Sequence, residues 1–163
     1  MSNRIARSAA ALALVTLAVA GTAGAQSPSQ TINFSVAAIN QVAVAGTVTL
    51  NITTAAAGSA PTQATDNAST WAVTTNQSGA KISASLNSDM PTGLTLQVAL
   101  GAPSGASSAG AQTLSSASVD LVTNVSQIAA SGLSMNYTLD AALTAGVVAS
   151  GTRTVTYTIT GGT

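Results

Sequence analysis

The 163-residue chain contains no histidine, no cysteine and no glutamate. Without histidine it lacks the usual general base near neutral pH and the commonest metal ligand. Without cysteine it can form no disulfide and no thiolate metal site. Charged residues make up only 5% of the chain and aromatics 2%, the latter being Phe34, Trp71, Tyr137 and Tyr157. Residues 26–163 hold two cations, Lys81 and Arg153, against four aspartates, Asp66, Asp89, Asp120 and Asp140, a formal charge of 2 − 4 = −2. No basic cluster exists to attract nucleic acid or anionic lipid, so neither is expected as a partner.

Residues 1–25 have the layout of a signal peptide. Arg4 and Arg7 precede an apolar run over residues 9–20, too short for an ordinary membrane span, and Ala23-x-Ala25 fits a processing site before Gln26. The expectation is an exported chain, secreted or at the cell surface, with no membrane span after cleavage. Residues 26–30 (Q-S-P-S-Q) form a polar tail, and residues 31–163 are of single-domain length.

What the chain does have is serine and threonine, 45 together, set in alternation with Val, Leu, Ile and Ala. Side chains leave a strand on opposite faces in turn, so such alternation predicts strands with one face on a core and a hydroxylated face in water. The clearest case is residues 152–160, T-R-T-V-T-Y-T-I-T, with Val155, Tyr157 and Ile159 inward. The same pattern predicts strands over residues 31–36 (Ile32, Phe34, Val36 inward), 40–45, 47–53 (Val48, Leu50, Ile52), 70–76 (Trp71, Val73, Thr75), 80–87, 94–100 and 132–140. Gln77-Ser78-Gly79 predicts a hairpin between the fourth and fifth of these runs. Residues 117–123 predict a further strand, followed by a turn or one loose helical turn, because Leu121, Val125 and Ile128 also share a helical spacing. Roughly eight or nine short strands without a helix predict an all-β, mostly antiparallel β-sandwich, Ig-like or jelly-roll-like. Trp71, Tyr137 and Tyr157 are its expected core anchors.

Chemistry is sparse. Lys81 lies on an outward strand position, no serine sits in a nucleophile elbow, and the aspartates are scattered. Calcium at Asp66-Asn67 or Asp89 is conceivable, with no EF-hand or nonapeptide spacing behind it. The chain is therefore expected not to be an enzyme and to carry no catalytic residue, cofactor or metal.

The stretches T-W-A-V-T-T-N (70–76), S-D-M-P-T-G-L-T-L (88–96) and R-T-V-T-Y-T-I-T (153–160) resemble a group of exported bacterial β-sandwich surface proteins. The pattern is similar to fimbrial and spore-coat-U-type subunits and, more weakly, to WxL-type surface domains. The resemblance implies a structural or adhesive role at the cell surface, with self-association or a cell-surface component as partner. On that reading Ile32, Phe34 and Val36 are strand-exchange anchors, since an added strand supplies main-chain hydrogen bonds and alternating side chains. Two other readings stand beside it. One is a cell-surface or polysaccharide-binding module. The other is an ice- or mineral-surface binder using the ladder of Thr152, Thr154, Thr156, Thr158 and Thr160.

Overall fold

The structure is a computed structural model that describes Gly24 and residues 26–163. The expected signal peptide lies almost entirely outside the described residues. The chain divides into two compact units, Met1–Ser35 and Val36–Thr163. In the first unit the described residues form no helix or strand and are exposed.

The second unit is all-β and antiparallel. Its ten strands are β1 (Asn40–Ala45), β2 (Ala64–Asp66), β3 (Thr70–Thr75), β4 (Ala80–Leu86), β5 (Leu94–Leu100), β6 (Ser107–Ser108), β7 (Gln112–Thr113), β8 (Val119–Val125), β9 (Ile128–Ala141) and β10 (Val155–Thr160). One sheet has the order β1-β3-β9-β5-β7, with β2 also on β9. The other runs β10-β4-β8-β6. Alternate residues of both sheets meet in one core: Trp71, Val73, Val98, Leu100, Met135 and Tyr137 from the first, and Ile82, Ala84, Leu86, Leu121, Val122 and Val125 from the second. The result is the β-sandwich that the alternation predicts.

The strand β9 organises the first sheet. Its first half, residues 128–134, pairs with β3 and its second half with β5. β2 pairs with residues 137–139 on the edge away from β5, nearly in register with β3, so β2 and β3 act as one interrupted strand. The interruption at residues 67–69 is held by Asp66, whose Oδ2 accepts hydrogen bonds from Ser69 N (3.3 Å) and Ser69 Oγ (2.7 Å). A bulge opposite Trp71 and Val73 takes up Gly132, at φ +65°, a conformation that glycine tolerates best. In the second sheet, bulges between β4 and β8 accompany two adjacent buried residues, Leu121 and Val122.

Three local expectations differ from the structure. Residues 70–76 and 80–87 do not form a hairpin: β3 and β4 belong to different sheets, and residues 76–79 cross between them. Both strands present a full apolar row to the same core, which a crossing satisfies and a hairpin in one sheet also would, so alternation could not choose. Residues 47–53 keep the predicted alternation, with Val48, Leu50 and Ile52 half-buried, yet join no ladder. Residues 31–36 likewise form no strand. After β8, of the two expected alternatives it is the turn that forms: Asn124 (φ +60°) and Gln127 (φ +43°) lead the chain directly into β9.

Candidate functional site

The two ends of the sandwich are built differently, and the difference locates the candidate site. At one end the crossovers at residues 76–79 and 126–127 are bound together. Gln127 N donates to Gln77 O (2.9 Å) and Gly79 N donates to Ser126 Oγ (2.9 Å). Ser78 and Thr163 exchange two backbone hydrogen bonds at 3.1 Å, fastening the chain end beside them. Asn76 adds two more, accepting from Ile39 N at 2.8 Å and donating to Ala37 O at 2.8 Å.

At the other end, where β9 stops and β5 starts, a cleft of about 740 Å³ opens. It forms where the chain leaving β1 and the chain approaching β10 run past the sheets. Leu50, Ile52, Leu94 and Leu139 supply apolar lining, and Arg153 is its cation. Among the described residues, neither residues 47–53 nor residues 147–151 make a backbone hydrogen bond. Exposed backbone donors and acceptors of this kind are what a sheet edge offers to an incoming strand. Arg153 is held in place, its Nε donating to Asp89 O (3.0 Å) and its Nη1 to Thr152 O (2.9 Å).

All four carboxylates are engaged. Asp66 caps its own loop, Asp120 pairs with Lys81 at 2.9 Å, and Asp140 accepts from Gln63 Nε2 at 3.1 Å. Asp89 accepts from Ser116 N at 2.6 Å, and that backbone hydrogen bond holds its carboxyl below the usual carboxylate range. Among the described residues, no three acidic side chains gather as a metal site. The Lys81 ammonium faces Asp120 rather than a serine.

Trp71 is 1% exposed, and its Nε1 donates to Gly101 O (3.2 Å). Tyr137 is buried and Tyr157 half-buried; their hydroxyls hydrogen-bond each other across the two sheets, and that of Tyr157 reaches Met135 Sδ at 3.9 Å. The remaining aromatic, Phe34, is 92% exposed, with Ile32 at 75% and Val36 at 81%. Sequence periodicity gave these three an inward face, whereas all three are exposed. The threonines of β10 are exposed, and the neighbouring β4 row opposes them with Lys81, Ser83 and Ser85, so the ladder is one threonine strand wide. The cleft itself carries no sequence signal, because its walls come from segments about a hundred residues apart. Among the described residues no helix is long and apolar enough to cross a membrane. No protein-family model matches the chain, and no curated protein or solved structure matches it.

Proposed function

We propose that the protein is an exported, non-catalytic structural or adhesive surface protein whose copies join through β-strand edges. The observation that carries this reading is the exposure of Ile32, Phe34 and Val36, spaced for one face of a strand yet outside every ladder. Burying a side chain of this size contributes about 1.5–3 kcal/mol, so leaving three in water forgoes a large favourable term. A sheet edge on another copy would recover it and pair the backbone at the same time. The near absence of charge favours the same outcome, since little repulsion keeps copies apart.

Analytical ultracentrifugation and electron microscopy of the exported product test this. Concentration-dependent oligomers or fibres are expected, and the triple variant Ile32→Asp, Phe34→Asp, Val36→Asp should sediment as a monomer. A wild-type chain that stays monomeric at high concentration overturns the reading. One observation favours a second reading, a polysaccharide-binding module: Phe34 is the aromatic left exposed for stacking on a sugar. A glycan-array signal lost in Phe34→Ala, from a chain that does not self-associate, would select it.

A further inference from the structure

Resting on that assembly reading, we infer that the end cleft between residues 47–53 and 147–151 is the acceptor, and that its occupant is residues 31–36 of a second copy.

The ladders narrow the choice of edge. β3, β4, β5, β8 and β9 have partners on both sides. The edge strands β2, β6 and β7 are two or three residues long, too short to template a six-residue strand of about 20 Å. That leaves the side of the sandwich where β1 ends one sheet and β10 ends the other. Along β1 and β10 themselves the two edges lie close to each other. Beyond Gly46 and before Val155, where neither sheet continues, the space between the two chains is the cleft.

Three properties of the cleft match the proposed occupant. Its walls have unpaired backbone, which a strand satisfies and a small apolar molecule does not. Leu50 and Ile52 alternate along one wall, so a strand laid beside it meets apolar side chains at its own two-residue period. The segment T-I-N-F-S-V carries no charge, so entering an apolar cleft strips water from no ion. The lone cation, Arg153, is already occupied by the carbonyls of Asp89 and Thr152.

The absence of cysteine makes the test clean. Asn33→Cys places a thiol on the outward face of the donor segment. Asn51→Cys and Ser150→Cys place one on either wall, and Thr113→Cys marks β7 on the far edge. All four positions are exposed or near-exposed, so the fold should tolerate each. A disulfide requires Cα atoms within about 7 Å, so oxidation of mixed chains reports proximity between copies. Asn33→Cys should form a dimer with Asn51→Cys or Ser150→Cys, and that dimer should be lost with Thr113→Cys. Oligomers that form without linking either wall, or that link to Thr113→Cys, overturn the cleft as acceptor while leaving assembly intact. Chains that form no oligomer at all overturn the assembly reading itself.

Discussion

Trp71 and the Tyr137–Tyr157 pair tie the core together, and each gives a measurable expectation. Trp71 fills the core beside the β3–β9 bulge while its indole N–H serves the Gly101 carbonyl. Trp71→Ala should cost about 3–5 kcal/mol, a large part of the 5–15 kcal/mol that ordinarily separates folded from unfolded. Trp71→Phe keeps most of the burial but leaves the Gly101 carbonyl without its donor, at about 1–3 kcal/mol. Urea melts followed by circular dichroism check both, and a Trp71→Phe midpoint equal to wild type would contradict the assignment. The Tyr137–Tyr157 bridge gives a pH dependence. Burial, reinforced by the hydrogen bond that the Tyr157 hydroxyl shares with Tyr137, holds the Tyr157 phenol well above its usual range; burial also raises Tyr137, although its bond to Tyr157 opposes the shift. The native state therefore keeps protons that the unfolded chain releases above about pH 10. This contribution is complete below that pH and declines as pH rises past it. Urea midpoints should fall between about pH 9 and pH 11, and fall less in Tyr157→Phe. An equal fall in both proteins would show that the pair is not responsible.

At the scale of elements, β10 closes the core. It covers the β4 edge with six paired residues and sends Val155, Tyr157 and Ile159 against the cluster. A chain ended at Gly151 loses those side chains, the tyrosine bridge and the Ser78–Thr163 hydrogen bonds together. It should lack a cooperative thermal transition, and a soluble truncate with a sharp melt would falsify the closing role. The elements also show how far the sequence could be read. β1, β3, β4, β5 and β10 fall where apolar and hydroxyl residues alternate, because a two-residue period reports directly which side chain meets the core. Pairing is not local in that sense. Residues 47–53 alternate as cleanly as β1 and lack a partner, and β3 and β4 flank a turn signal yet join different sheets. Alternation records burial on one face, whereas a ladder depends on which edge lies alongside.

For the whole molecule, the asymmetry between a fastened end and an open one is the main feature that could not be read from sequence. The fastened end gathers residues 39–40, 76–79, 126–127 and 163 through hydrogen bonds between distant segments. The open end leaves two extended segments facing a cleft without backbone partners among the described residues. The apolar row of Ile32, Phe34 and Val36 was visible from its spacing, but only its exposure shows that the single chain leaves it unused. Amide hydrogen exchange at residues 31–36, measured on dilute monomer and on concentrated protein, tests the central claim most directly, because exchange slows when backbone N–H groups enter a stable ladder. Fast exchange is expected in the monomer, with slow exchange in the concentrated sample appearing together at residues 31–36, 47–53 and 147–151. Exchange that stays fast in the assembled protein, or is already slow in the monomer, would contradict the account.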